Sequence, residues 1–245
     1  MSSEARPETP DLHARAAEVS GRIERAAQRA RRDPAEVKLI AVSKTHPAAL
    51  VREAIAAAGH REFGENRVQE AEAKIEELQP EAPGLRWHLI GHLQPNKARK
   101  AVRLFDLIHT VDTVALVERL ERICAEEERE RLEVLVQVDL AGEATKSGAT
   151  EEELPALFEV LGRAAYVRCR GLMVLPPFFD EVERVRPFFR RLRELRDEWQ
   201  ARGAFGEGTG ELSMGMSHDY EAAVEEGATL VRVGTALFGA RGAMR

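Results

Sequence analysis

The chain switches between two patterns of apolar and polar positions. Short runs dense in valine, leucine and isoleucine, such as LEVLVQVDL over 132–140, give way to stretches where apolar residues return every three or four positions among arginine and glutamate. The first pattern is that of strands covered on both faces, the second that of amphipathic helices. Strands are predicted over 60–66, 85–90, 107–111, 132–140, 167–174, 211–214 and 229–233, preceded by the stretch 39–47, a buried run that ends in Lys44. Helices are predicted over 12–31, 48–58, 68–78, 94–102, from Asp112 as N-cap to 129, and over 151–163, 181–202 and 219–226, with a short one at 234–238. Asp33-Pro34, Gly59 and Gly227 supply the stops.

Strand and helix alternate eight times, which predicts a parallel sheet. Eight units in 245 residues suit an α/β protein with a closed (β/α)8 TIM barrel, and leave no room for a second domain. No GxGxxG follows the first strand, which counts against a dinucleotide fold. The expected organisation is a disordered or fraying tail over 1–10 and one barrel domain over 11–245. Side chains alternate along a strand, so Ile40, Val42 and Lys44 share a face, as do Arg86, His88 and Ile90, and Leu230, Arg232 and Gly234.

Composition narrows the classes. The net charge of −6 argues against a general nucleic-acid surface. No apolar run is long enough to span a bilayer, and the polar, acidic start MSSEARPETPD has no signal-peptide core. Cys124 and Cys169 lie far apart and form no metal or redox motif, so a cytoplasmic protein with reduced thiols is expected. His46, His92 and His218 lack metal-ligand spacing, and no metal is assigned. The arginine-rich segment FFRRLRELRDEW carries interspersed acids and reads as a solvated barrel helix.

One compositional bias bears on chemistry. Of 36 lysines and arginines, only Lys38, Lys44, Lys74, Lys97, Lys100 and Lys146 are lysine. Lys44 stands at a strand end, where a solvated edge residue is the ordinary case. It is also where a desolvated amine could form a Schiff base, which arginine cannot do. Barrel sites form at the C-terminal ends of strands, with phosphates often held after strands seven and eight. Here those loops contain SMGMSHD over 213–219 and Gly234-Thr235. Their small residues let backbone N–H groups approach an anion, and Ser217 and Thr235 add hydroxyls; each glycine alone reads equally well as a plain turn residue. Arg232, facing Lys44 across the barrel mouth, needs a partner. An amine, a phosphate site and an arginine together suit pyridoxal 5′-phosphate. They also leave open a Schiff-base aldolase acting on a sugar phosphate. His88 reads either as a working imidazole or as a satisfied core histidine, and Asn66 either as a ligand contact or as a turn former.

The segments LIAVSKTHP, FGENRVQEAEAKIEEL, WHLIGHLQPNKARKAV, VQVDLAGEATKSG and ELSMGMSHDYEAAVEEGATLVRVGTALFGAR together resemble the YggS/PROSC family of pyridoxal phosphate homeostasis proteins, over nearly the whole chain. The resemblance implies an alanine-racemase N-domain barrel of fold type III. It implies a Schiff base between the cofactor and Lys44, Arg232 facing the pyridine nitrogen, and Ser217, Gly234 and Thr235 on the phosphate. It also places Met214 and Asn66 along the ring. The related racemases have a second, β-rich domain that supplies a tyrosine acid/base, and no counterpart is expected here. A monomer that binds and hands over the cofactor, with apo pyridoxal-dependent enzymes as recipients and no established reaction, is the implied role. A pyridoxal-dependent racemase is the alternative.

Overall fold

Eight parallel strands form a closed barrel in which each pairs with its sequence neighbour and β8 pairs with β1. The computed structural model describes residues 12–79, 82–142 and 147–239. The tail expected over 1–10 and part of the loop after the fifth strand lie outside the described residues. The strands are β1 (Lys38–Val42), β2 (Glu62–Glu65), β3 (Arg86–Leu89), β4 (Leu107–Val111), β5 (Leu132–Val138), β6 (Val167–Val174), β7 (Glu211–Met216) and β8 (Leu230–Val233). The helices are α1 (Leu12–Arg29), α2 (Ala48–Ala58), α3 (Val68–Leu78), α4 (Ala98–Leu104), α5 (Val114–Glu126), α6 (Leu154–Arg163), α7 (Arg186–Ala201), α8 (Tyr220–Glu225) and α9 (Thr235–Phe238).

Two apolar layers follow from the alternation of strand side chains. The larger lies between sheet and helices and takes Ala41, Phe63, Leu89, Ile108, Val136, Leu172, Leu212 and Val231 from the strands. The smaller fills the lumen with Ile40, Leu107, Leu135, Met173 and Leu230. Each buried Val, Leu, Ile, Phe or Met among them contributes roughly 1.5–3 kcal/mol. The lumen also holds polar groups: His88, His109, Ser213 and Arg232 are all buried. Period two would put Val111 inside with Leu107 and His109. An extra residue in β4 against β5, between Ile108 and Val111, turns Val111 into the outer layer instead.

Several boundaries differ from the sequence expectation, each for a local reason. The N-cap of α5 is Thr113, whose side chain accepts from the Leu116 N–H, and Asp112 precedes it. The stretches begun by Pro95 and by Val182 open as 3₁₀ turns before α4 and α7. Residues 151–153 form a turn, so α6 begins at Leu154. β7 runs two residues beyond the predicted Met214. The arginines of α7 are committed within the chain: Arg191 bonds Glu151 at 2.7 Å and Arg193 donates to the Glu226 carbonyl at 2.7 Å. Among the described residues no helix is long and apolar enough to cross a membrane.

Candidate functional site at the barrel mouth

Lys44 follows β1 in a tight turn and is half-buried. Its neighbours are fastened from several sides. The Ser43 hydroxyl donates to Glu65 Oε1 at 2.6 Å, and Lys74 Nζ donates to the Ser43 carbonyl at 2.6 Å and to Glu65 Oε1 at 2.5 Å. Glu65 is fully buried at the end of β2, and among the described residues its other oxygen, Oε2, has no partner. Burial pushes the Glu65 carboxyl up against the opposing pull of Lys74 and Ser43. The Thr45 N–H donates to Glu70 Oε2 at 3.2 Å, and Thr45 adopts φ 64, a conformation that costs a β-branched residue about 1–2 kcal/mol. The His46 ring lies 5.2 Å from that of Phe238. The Lys44 turn is therefore held in one shape by β2, α3 and α9, which fixes where the amine emerges.

Arg232 projects into the lumen from β8 and is 3% exposed. In register it lies beside Ile40, so the strand next to the lysine's own carries it. The sequence suggested a lysine and an arginine facing one another across the mouth. Closure of the barrel makes their strands neighbours. Arg232 Nη1 donates to Ser213 Oγ at 2.5 Å and Nη2 to the Val174 carbonyl at 2.9 Å. Burial lowers its pKa to about 10, and the charge of Asp219 acts the other way. That value leaves it charged at neutrality.

The two loops after β7 and β8 meet at Ser217. Its Oγ accepts from the Gly234 N–H and the Ala236 N–H, both at 3.2 Å. Two backbone donors thus converge on one point at the start of α9, with the exposed Thr235 hydroxyl between them in sequence. Gly215 shapes the approach. One extra residue in β7 against β8 makes a bulge there, Gly215 takes φ 91, and a Cβ would sit 2.5 Å from Ala223 Cβ and 2.9 Å from Tyr220 Cα. Met214, expected along a ring pocket, is fully buried in the outer layer; Ser213 takes the lumen position next to it.

Asn66 stands just past β2, half-buried, on a pocket of about 560 Å³ that it shares with Arg67, Glu70, Gly91, His92 and Lys97. A Cβ on Gly91 would lie 2.3 Å from the Asn66 carbonyl oxygen, so the exits of β2 and β3 pass at backbone contact only because residue 91 is glycine. Of the residues singled out from sequence, Lys44, Asn66, Ser217, Arg232, Gly234 and Thr235 lie at the C-terminal ends of β1, β2, β7 and β8. Of the residues that the resemblance assigns to the cofactor, Met214 alone turns away, and His88 lies deeper in the lumen. Sequence reading passed over Ser43, Glu65, Lys74 and His109. Strand parity in 107–111 would have placed His109 with Leu107, but nothing local marks Lys74 as buried. Among the described residues no cluster of His, Cys, Asp and Glu could hold a metal ion.

Residues 17–242 match the family model for the alanine racemase N-terminal domain. The chain is 49% identical to the pyridoxal phosphate homeostasis protein of Pseudomonas aeruginosa, over 92% of this chain and 94% of that one. It is 41% identical to the protein of that name from Escherichia coli K12, over 94% and 97%. The structure of PipY from Synechococcus elongatus with PLP bound superposes with a TM-score of 0.81 at 45% identity, covering 94% of this chain and all of that one. Alanine racemase from Corynebacterium glutamicum shares the fold, with a TM-score of 0.63 at 19% identity; this chain spans 64% of its length.

Proposed function

The chain belongs to the alanine racemase N-terminal domain family and, within it, to the pyridoxal phosphate homeostasis proteins; from that premise we propose that it binds pyridoxal 5′-phosphate at the barrel mouth and serves the cellular handling of that cofactor. The observation that carries the reading is the pairing of β1 with β8. It sets the Lys44 turn beside a strand that bears a buried guanidinium and leads into two converging backbone donors.

The donor set fits the ligand. Lys44 is a primary amine held on a fixed turn, the form of nucleophile an aldehyde needs. The N–H groups of Gly234 and Ala236, with the hydroxyls of Ser217 and Thr235, are neutral donors of the kind that hold phosphate oxygens. Arg232, whose two hydrogen bonds run to neutral oxygens, brings a positive donor to the pyridine nitrogen. Asn66 borders the ring from β2. Met214, turned outward, contributes through its main chain alone. When bound, the cofactor supplies an aldehyde and an electron-withdrawing ring.

A charged guanidinium at the ring nitrogen disfavours its protonation, and an unprotonated ring is the weaker electron sink. This supports holding the cofactor over carbanion chemistry. We place the protein in the cytoplasm as a monomer that passes its cofactor to apo-enzymes.

The purified protein, loaded with pyridoxal phosphate, is expected to show a visible absorption band that borohydride bleaches, with the reduced adduct mapping to the peptide containing Lys44. Lys44→Ala is expected to abolish the reducible chromophore. A Lys44→Ala protein that keeps it would sink the assignment.

A further inference from the structure

Behind the site, polar side chains run in single file through the lumen to its opposite end. Beyond Arg232 and Ser213 the file continues with His109, whose Nδ1 lies 2.8 Å from Ser213 Oγ. His109 Nε2 lies 2.9 Å from His88 Nδ1, and His88 Nε2 lies 2.6 Å from Glu62 Oε2. Glu62 opens on a floor cavity of about 170 Å³, where Lys38, Arg86, Glu133, Arg170 and Glu211 also meet. There Arg86 bonds Glu133 at 3.2 Å, and Arg170 and Lys38 lie within 4.0 Å of Glu133 and Glu211.

With one proton on each imidazole ring, the two ends set the direction of every link. A guanidinium can only donate, so Ser213 Oγ accepts from Arg232. Burial alone would raise the Glu62 carboxyl, but the His88 hydrogen bond and the charges of Arg86 and Lys38 hold it below the ordinary range, so it is an ionised acceptor. His88 therefore donates to it from Nε2–H. Its Nδ1 is then bare and accepts from Nε2–H of His109. Burial, with the charge of Arg232 acting the same way, holds His109 well below the usual imidazole range, so it is neutral. Its bare Nδ1 accepts the Ser213 hydroxyl proton. All four bonds point from the guanidinium to the floor carboxylate. Among the described residues no carboxylate forms an ion pair with Arg232, so this file is its hydrogen-bonded connection to an anion. Hydrogen bonds in series polarise one another, so an end charge is felt at the far end.

We propose that Glu62, at the opposite end of the barrel from the mouth, is a positioning residue for Arg232, acting through His88, His109 and Ser213 to fix the guanidinium as the donor that meets the cofactor ring. This rests on the reading that Arg232 faces that ring. His88, which the sequence reads either as a working imidazole or as a satisfied core histidine, is here a buried, hydrogen-bonded link.

Nitrogen NMR of the full chain without ligand reads the two histidine tautomers directly. Both His88 and His109 are expected to carry their proton on Nε2. Glu62→Gln keeps an acceptor but loses the charge, and its amide can donate instead, so both rings are expected to lose their single tautomer. Glu133→Gln, which removes a floor carboxylate outside the file, is expected to leave them unchanged. In protein loaded with pyridoxal phosphate, Glu62→Gln shifts the absorption maximum and weakens binding several-fold, while Glu133→Gln matches the parent. A proton on Nδ1 of His109 in the parent, or equal effects of the two variants, overturns the proposal. A chain that takes up no pyridoxal phosphate would defeat the functional reading, while the histidine signals still decide the file.

Discussion

Lys74 shows how one side chain can support the site without touching a ligand. Its side chain is 10% exposed and meets Glu65, which has no exposure at all. Two charges taken out of water at such a cost are held by geometry: the ammonium also donates to the Ser43 carbonyl, one residue before Lys44. Lys74→Met would leave Glu65 ionisable, buried and unpaired. The expected loss is about 3–5 kcal/mol of folding stability, the range for breaking a buried pair from one side. Urea denaturation measures it, and adding Glu65→Gln is expected to recover part of the loss. A change below about 1 kcal/mol would place the pair among the weak surface bridges. In the sequence Lys74 looks like any lysine of an amphipathic helix. What selects it is the position of β2 beneath α3, which no local pattern encodes. Lys44 was legible because a scarce residue type interrupts an apolar run; Arg232 was legible because a charge sits at an inward strand position.

Among the elements, sequence was most readable where turn chemistry and periodicity coincide. The ranges of α2, α3, β4 and β6 match the expectation residue for residue, because glycine, proline or a change of period marks each end. It was least readable at bulges. One inserted residue reverses the faces of everything after it, which is how Val111 left the lumen. The bulge in β7 is the one that shapes the site. Gly215→Ala would force a side chain into the left-handed region and against Ala223 and Tyr220 of α8. We expect about 1–3 kcal/mol of destabilisation, with weaker phosphate anchoring because Ser217 moves with the loop. Pyridoxal phosphate affinity should fall while free pyridoxal is affected less; equal loss for both ligands would mean that the loop is not the phosphate anchor.

Across the whole molecule, acid acts on opposed populations of groups. His60 and His109 are held low by burial. They stay neutral in the fold while the unfolded chain charges below about pH 6.5, so stability declines as pH falls through that value. Hydrogen bonds from Arg103 and Arg99 hold Glu127 at about 2, and Arg191 holds Glu151 low. Burial pushes Glu62 and Glu225 up, but hydrogen bonds and neighbouring positive charges together outweigh it and hold both low. What these carboxylates contribute is present above about pH 4.3 and is lost below it. Glu65, Asp112 and Asp219, raised by burial, gain on acidification and flatten the interval between. The urea midpoint should therefore decline gently from neutrality, level near about pH 5 and fall steeply below about pH 4; a midpoint that rises throughout would contradict this. The barrel itself was countable in the sequence, but its seam was not. There β1 meets β8, and α1 lies across α8 and α9 with Arg22 on Glu221 and Arg29 on Glu225. During synthesis, every strand up to β7 is made while the two outer strands still lack their neighbours. A nascent chain at that stage is an open sheet with two bare edges, the form most prone to join another chain. The pairing of β8 thus removes both hazards in one step, and the same step brings Arg232 alongside the strand that leads to Lys44.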